Sequence, residues 1–218
     1  MIFINHRINT REQLNYVPLQ NGIEVDVRYH NNDLILHHEP FCHHINKPEK
    51  FEDLLKKWNH KGPIILNIKT EGIEEACIEL MNKYSINNWF FLDMSMPYFV
   101  KYAQISTSKK INGFSEYNLA VRYSEHEPIE YALAFANKAK WVWLDCFTKL
   151  PLNKNIYENL KDLGFQICLV SPELQKHSLK RIPEFLKICR GLYIDAVCTK
   201  RPDLWGQKLS SESKKYKR

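Results

Sequence analysis

The sequence of 218 residues predicts an α/β fold, a (β/α)8 or TIM barrel with a β-hairpin extension after the second strand. The first reason is that strand-like and helix-like segments alternate along the whole chain and supply eight core strands. The second reason is that most strand-like segments are continuous apolar runs, which is typical of parallel strands covered on both faces. An open doubly wound sheet is the alternative, but it needs a glycine-rich first turn, and none is present.

Each predicted strand is a short run rich in β-branched, aromatic or other apolar residues. In chain order, the core strands are predicted at Ile2–Ile4, Ile23–Val27, Pro63–Lys69, Trp89–Asp93, Leu119–Arg122, Trp141–Asp145, Gln166–Val170 and Ala196–Thr199.

The segments between the strands carry apolar residues at helical spacing. Thr10 is a candidate N-cap of the first helix, and Gly164 is a candidate C-cap after the sixth. The helices are predicted at Thr10–Val17, Phe51–Trp58, Gly72–Tyr84, Met96–Ile105, Ile129–Ala139, Ile156–Leu163 and Leu179–Cys189.

The second strand is predicted to turn back as a hairpin. Glu24 and Asp26 alternate with apolar residues, so both point to one face of the strand. The polar residues 31–33 precede a second apolar run, and asparagine tolerates the positive φ of a tight turn. A turn centred on residues 31 and 32 places Asp26 opposite His37 and Glu24 opposite Glu39. The alternative is that the two carboxylates form only the wet face of an amphipathic strand.

Composition is that of a globular protein, with 44% hydrophobic and 26% charged residues. We expect one domain over residues 1–206, followed by a basic, disordered tail at 207–218. No apolar run approaches the roughly 18 residues that span a bilayer, and the start is too quickly polar for a signal peptide. Six scattered cysteines fit a reducing compartment, so a cytoplasmic location is expected.

A net charge of +6 suits an anionic partner, and the chain carries no nucleic-acid-binding motif. We therefore expect a small anionic substrate, no nucleic acid and no membrane span. The sequence implies no particular oligomeric state.

Polar side chains follow every predicted strand, and functional groups of barrels lie at these carboxyl ends. A polar rim is expected of any barrel, but a His-Arg pair beside two carboxylates on the next strand is not generic. In strand order the rim residues are His6 and Arg7, Glu24 and Asp26, Asn67 and Lys69, Asp93, Arg122, Asp145, Ser171 and Glu173, and Thr199 and Lys200.

Three of these features resemble a known family. The pair His6-Arg7, the Glu24-x-Asp26 pattern and the pair His38-Glu39 on the hairpin resemble glycerophosphodiester phosphodiesterases, which belong with the phosphatidylinositol-phospholipase-C-like phosphodiesterase barrels. The segment Thr199–Leu204 resembles the Thr-Asp-x-Pro-type motif that closes that family's barrels. Sharp motifs lie within the first forty residues, and the strand count agrees throughout.

The resemblance implies a set of roles. His6 and His38 would be the general acid and base, and Arg7 would contact the phosphate. Glu24 and Asp26 would hold a divalent cation, Mg²⁺ or Ca²⁺, with Mn²⁺ as a further option.

The sequence departs from the family pattern at three positions. Ile8 stands in place of the usual Gly, and Glu39 in place of the usual Asp. Asn67 replaces the carboxylate of a Glu-x-Lys pattern, which removes one anionic cation ligand but keeps a carbonyl oxygen. Asp93 and Asp145 are the less favoured replacements for that ligand.

Three further residues are assigned to substrate binding. We expect Lys69 and Arg122 at the barrel mouth to contact phosphate and Trp143 to contact substrate. Trp141 and Trp143 share one face of a strand, and filling of the barrel is the favoured interpretation over a ligand platform.

The chemistry of these residue types favours phosphodiester hydrolysis. Attack on a phosphodiester builds negative charge, which an Arg and a divalent cation offset. One imidazole takes a proton from the nucleophile, and the other gives one to the leaving alkoxide. We therefore expect a metal-dependent phosphodiesterase acting on a glycerol- or sugar-linked phosphodiester. The alternatives are a phosphomonoester phosphatase and a non-catalytic barrel that binds a phosphorylated ligand.

A dense His/Cys cluster at His37, His38, Cys42, His43 and His44 offers zinc ligand types. Its spacing matches no standard zinc motif, so one catalytic His38 among loop histidines is the favoured interpretation. His37 is expected to face away from the site.

Overall fold

The computed structural model describes residues 1–40, 48–108 and 110–206. Its strands are β1 (Ile2–Asn5), β2 (Gly22–His30), β3 (Asp33–Leu36), β4 (Glu49–Lys50), β5 (Ile64–Ile68), β6 (Trp89–Leu92), β7 (Ala120–Tyr123), β8 (Trp141–Leu144), β9 (Gln166–Val170) and β10 (Ala196–Thr199). Its α-helices are α1 (Arg11–Leu14), α2 (Phe51–Leu55), α3 (Glu74–Lys83), α4 (Met96–Ser108), α5 (Ile129–Leu133), α6 (Lys154–Asp162) and α7 (Ile182–Ile188).

Eight parallel strands follow one another around the barrel in the order β1, β2, β5, β6, β7, β8, β9 and β10. The first and last strands are neighbours, with Phe3 in register with Val197. In the part of the chain that the structure describes, the junction between β6 and β7 has a single parallel bridge, between Phe91 and Leu119, the residue before β7. The predicted (β/α)8 fold is confirmed, and this junction is the weakest in its wall.

The hairpin after β2 has the predicted register. Asn31 and Asn32 have φ of 48° and 65°, which two adjacent turn residues need in a tight hairpin. Val27 pairs with Leu36, and the His37 amide donates to the Asp26 carbonyl at 2.9 Å. The short strand β4 adds to the outer edge of β3.

All seven predicted helices differ from the observed ones at one end or both, and two of the differences have clear local reasons. The segment predicted from Leu179 begins as a 3-10 turn, and α7 starts only at Ile182, because Pro183 lacks an N–H and fits the first helical turn. Helix α5 ends at Leu133, and single turns follow it. Asn137, with a φ of 62°, is in a left-handed conformation that cannot continue a right-handed helix.

Aromatic side chains pack in the barrel wall and interior. Trp141 of β8 stacks on Phe90 of β6 with ring centroids 4.8 Å apart. Trp143, also in β8, is buried as well. Within the described residues, no helix is long and apolar enough to cross a membrane. The predicted tail at 207–218 and the residues Cys42, His43 and His44 of the zinc alternative lie outside the described residues.

Glu173 fastens the carboxyl ends of β9 and β10 together. Its carboxylate accepts hydrogen bonds from the Thr199 hydroxyl at 2.6 Å, from the Lys200 amide at 3.0 Å, and from the Ser171 hydroxyl. Ser171 and Thr199 are fully buried, and the Thr199 carbonyl accepts from the His6 amide at 3.3 Å. This carboxylate therefore supports the end of β1, where the candidate site begins.

We expect Glu173→Ala to lower the free energy of unfolding by about 3 kcal/mol, because it leaves buried hydroxyl and amide donors without an acceptor. Urea denaturation at pH 7 measures the effect. The matched control is Glu184→Ala, since Glu184 is 65% exposed and its contact with Arg181 is a surface pair. Equal loss in the two variants would contradict the role of Glu173.

Candidate active site at the carboxyl ends of the strands

Strand β1 delivers two polar residues to the mouth of the barrel. Arg7 has a φ of 56°, a left-handed conformation that is uncommon outside glycine. In this conformation its backbone N–H donates to Glu24 Oε2 at 2.8 Å. His6 lies on the same carboxylate, with Nε2 3.7 Å from Glu24 Oε2. The His-Arg pair and the strand β2 carboxylates are thus brought together as predicted.

Glu24, Asp26 and Asn67 form a buried polar group on β2 and β5, with 1%, 0% and 7% of their surfaces exposed. Asp26 and Asn67 are in register on the two strands. The Asn67 amide donates to Glu24 Oε1 at 2.8 Å. Each oxygen of Glu24 therefore accepts a hydrogen bond from the protein itself.

Asn9 holds Asp26 from the loop after β1. Its side-chain amide donates to Asp26 Oδ2 at 2.8 Å, and its side-chain oxygen accepts from the Asp26 backbone N–H at 2.9 Å. Sequence reasoning missed Asn9. The one indication in the sequence was that Asn9 lies three residues after His6, in the loop that follows β1.

Two buried oxygens in this group, Asp26 Oδ1 and Asn67 Oδ1, have no hydrogen-bond partner among the described residues. Unpartnered buried acceptors are rare, and these two belong to residues side by side on adjacent strands. Carboxylate and carbonyl oxygens are the ligand types of Mg²⁺ and Ca²⁺. Over residues 1–40, 48–108 and 110–206, no three His, Cys, Asp or Glu side chains converge as a metal-binding group, so a cation here would depend on the Asn67 oxygen.

An alternating series of charges continues from Asp26 around the mouth. Lys69 Nζ is 3.7 Å from both Asp26 Oδ1 and Asp93 Oδ2. Arg122 in turn contacts Asp93 Oδ1 at 3.4 Å and Glu127 Oε1 at 2.9 Å. Lys69 thus lies next to the buried carboxylate of Asp26, whereas three successive ion pairs separate Arg122 from it.

Burial sets the protonation of the central groups. Burial, and then the neighbouring charge of Asp26, raises the pKa of Glu24 to about 7. Burial, followed by the positive charges of Arg7 and Lys200, lowers the pKa of His6 to about 3. At neutral pH His6 is therefore an uncharged imidazole.

His38 lies on the other side of Arg7. Its Nδ1 is 2.6 Å from Glu39 Oε1, and its Nε2 contacts Arg7 Nη2. The bond from His38 lowers the pKa of Glu39, so Glu39 stays ionised and favours a proton on His38 Nδ1. The His37 ring bonds to the Glu39 carbonyl at 2.8 Å instead.

Arg28 fixes the hairpin arm that carries His38. Its guanidinium donates to the carbonyls of His37 at 3.1 Å, His38 at 2.8 Å and Lys69 at 3.0 Å. The arm is thereby attached to the end of β5. Sequence reasoning missed this role, because nothing in an alternating strand marks which arginine donates to distant carbonyls.

No described contact joins the remaining predicted residues, Asp145 and Trp143, to the central group. Asp145 accepts from the Cys146 amide and the Gln175 side chain, both at 2.8 Å, and burial raises the pKa of its carboxyl. Trp143 is in register with Arg122 and is 5% exposed, in the barrel wall.

The chain resembles three solved structures across nearly its whole length. A glycerophosphodiester phosphodiesterase from Agrobacterium tumefaciens str. C58 superposes with a TM-score of 0.67 at 12% identity, covering 96% of this chain and 99% of that one. A glycerophosphoryl diester phosphodiesterase from Parabacteroides distasonis ATCC 8503 gives 0.63 at 14% identity, covering 97% and 86%. A Galdieria sulphuraria protein assigned to the same class gives 0.65 at 14% identity, covering 96% and 97%.

The sequence matches no protein-family model and no curated protein. At these identities the structural likeness shows a shared fold, and one fold hosts many activities. What this protein does must therefore be argued from the residues at its mouth.

The raised pKa of Glu24 predicts a pH dependence of stability. The pKa of Glu24 is about 7 in the folded protein and 4.5 ordinarily. Between these two pH values the folded protein therefore keeps a proton on Glu24 that the unfolded chain releases. The contribution of Glu24 to stability is therefore full below about pH 4.5 and falls as the pH rises to about 7.

We expect Glu24→Gln to lack this fall. The introduced amide is uncharged at every pH, and the lowered pKa of His6, which acts in the opposite direction, contributes to both proteins. Urea denaturation in chelator measures the free energy of unfolding of both proteins. As the pH rises from 5 to 8, the stability of the variant should increase relative to that of the wild type. A difference independent of pH would contradict the raised pKa.

Proposed function

We propose that this protein is a phosphoric diester hydrolase that cleaves a glycerol- or sugar-linked phosphodiester by acid–base catalysis with two histidines. The observation that carries the proposal is that contacts through Glu24 and Arg7 bring His6, at the end of β1, close to His38, on the hairpin arm. His6 contacts Glu24, Arg7 donates to Glu24 through its backbone, and the Arg7 side chain reaches His38. A phosphate at this point would have an arginine and two imidazoles within its surroundings.

His6 serves as the general base. It is uncharged, and its buried Nδ1 has no hydrogen-bond partner in the part of the chain that the structure describes. An anionic phosphate beside it offsets the charges of Arg7 and Lys200 and so raises its pKa towards the range useful for proton transfer. His6 then takes the proton of the attacking oxygen, which belongs to water or to a hydroxyl of the substrate.

His38 serves as the general acid. The ionised Glu39 accepts from Nδ1, so Nε2 is the ring nitrogen that faces Arg7 and accepts from its guanidinium. Phosphate oxygens draw the Arg7 guanidinium away from Nε2, because a fork of N–H donors fits two oxygens at once. Nε2, released from Arg7, takes a proton from solvent and gives it to the leaving alkoxide.

Asp26, Asn67 and Glu24 hold a divalent cation, Mg²⁺ or Ca²⁺, with Mn²⁺ as a further option. Asp26 Oδ1 and Asn67 Oδ1, which have no hydrogen-bond partner among the described residues, support this assignment. When bound, the cation supplies positive charge that offsets the negative charge developing on the phosphate. Lys69 adds a fixed positive charge 3.7 Å from Asp26, and so contacts the phosphate at the same mouth.

The substrate is a small molecule, and the protein works in the cytoplasm. All five described cysteines are free, which supports a reducing compartment. No nucleic-acid partner is proposed.

A second candidate is a barrel that binds a phosphorylated ligand without cleaving it. The amide of Asn67 in place of a carboxylate, already bonded to Glu24, favours it. Hydrolysis of bis-p-nitrophenyl phosphate would eliminate this candidate. Faster hydrolysis of p-nitrophenyl phosphate would instead identify a phosphomonoester phosphatase.

We expect His6→Ala and His38→Ala each to lower kcat by about two to four decades, the scale for losing a positioned acid or base. The double variant should fall little further, because the two groups act as a unit. Initial rates on glycerophosphodiesters at pH 7 measure these effects.

The matched control is His37→Ala on the same hairpin arm. His37 bonds to a backbone carbonyl, so its loss should lower kcat by less than about one decade. If His37→Ala abolished activity and His38→Ala retained it, His37 and not His38 would be the catalytic histidine of the hairpin arm.

Removal of divalent cations with excess chelator should abolish hydrolysis, and calorimetric titration should detect Mg²⁺, Ca²⁺ or Mn²⁺ binding. Asp26→Asn should weaken binding by about tenfold or more, and Asn67→Glu should tighten it, because ligand charge sets affinity. Asp93→Asn is the control at a neighbouring carboxylate. Loss of binding in Asp93→Asn with none in Asp26→Asn would move the cation to the Asp93 side.

A further inference from the structure

The weak junction between β6 and β7 opens into a cavity of about 550 Å³ between α4 and α5. This volume is within the range of small-molecule sites. One side of the cavity is apolar and includes Met94, Met96, Phe99 and Tyr131. The barrel wall therefore has an apolar recess at the end of the strands where the candidate active site lies.

The polar end of the cavity adjoins the charges of the active site. Asp93, Arg122 and Glu127 line it, and Lys69 links Asp93 to Asp26. Arg122 is already paired with both carboxylates, so this end carries no excess positive charge for a second phosphate. Charge thus favours an uncharged, apolar occupant in the recess.

Two features of the recess suit a flexible aliphatic chain. Met96 is 60% exposed, and methionine side chains adapt their shape to irregular apolar ligands. The hydroxyl oxygen of Ser95 is buried in the recess wall without a hydrogen-bond partner among the residues described. After a rotation of the Ser95 side chain that exposes its hydroxyl to the recess, an ester or ether oxygen near the start of a chain would accept from it.

We propose that this recess binds a single aliphatic chain of the substrate, so that the preferred phosphodiester bears one chain, as a monoacyl glycerophospholipid does. The proposal rests on the proposed function for the location of the phosphate. With the phosphate at Arg7 and Lys69, the chain passes Asp93 and Arg122 and enters between α4 and α5. The chain then replaces water on the apolar side of the recess.

The test measures binding of alkyl phosphocholines with chains of four, six, eight and ten carbons, each below its micellar concentration. These compounds are phosphodiesters that differ only in chain length. Calorimetry should show affinity rising about twofold to fourfold per added methylene, the scale of burying a methylene. Affinity that does not depend on chain length would overturn the proposal.

Met96→Glu places a charge at the exposed edge of the recess, where the fold tolerates it. It should lower affinity for the ten-carbon compound by about tenfold and leave the four-carbon compound unchanged, because only the longer chain reaches this edge. The matched control is Leu163→Glu, because Leu163 is an exposed apolar residue, 41% exposed, at the end of α6. Thermal melting of both variants verifies folding.

The outcomes separate this proposal from the proposed function. Chain-dependent binding that Met96→Glu abolishes, without any hydrolysis, would support the recess and remove the phosphodiesterase assignment. Hydrolysis of glycerophosphodiesters at a rate unaffected by a chain would overturn the recess and leave the phosphodiesterase. Chain-dependent binding that persists in Met96→Glu would also overturn it.

Discussion

The buried carboxylate of Glu24 is the interaction on which the rest of the site depends. It accepts from the Arg7 backbone and from Asn67, which makes it the junction of β1, β2 and β5. A carboxylate without exposure is unfavourable unless its oxygens are bonded, and both are. The left-handed conformation of Arg7 follows from this constraint, because only that turn aims its N–H at the carboxylate while its side chain reaches His38.

The charges at the mouth are arranged so that each pairs with the next. Asp26, Lys69, Asp93, Arg122 and Glu127 alternate in sign around the barrel, with separations of 2.9 to 3.7 Å. Each of these ions therefore has a partner of opposite sign within 3.7 Å. Under the proposed function, an anionic substrate would replace these carboxylates as the partner of Arg7 and Lys69.

The sequence allowed prediction of the features that depend on local pattern. Strand order, the hairpin register and the meeting of His6 with Glu24 all follow from period-2 alternation and from the rule that strand ends share one rim. The contacts of Asn9 and Arg28 did not follow, since their partners are up to 41 residues away and no pattern marks them. The recess between α4 and α5 was also out of reach, because it arises where the described strands share a single bridge and the other barrel junctions have at least two residue pairs.

Asn67 explains how the site can fold without a cation. A carboxylate at this position would be a third negative group beside Glu24 and Asp26, where burial and one neighbour already raise the pKa of Glu24 to about 7. The amide instead donates to Glu24 and leaves one oxygen unpartnered, among the described residues, beside Asp26. It therefore lowers repulsion in the site before a cation binds while keeping a ligand atom. Under the proposed function, the consequence is a weaker attraction for the cation, to which the phosphate of a bound substrate would add oxygen ligands of its own.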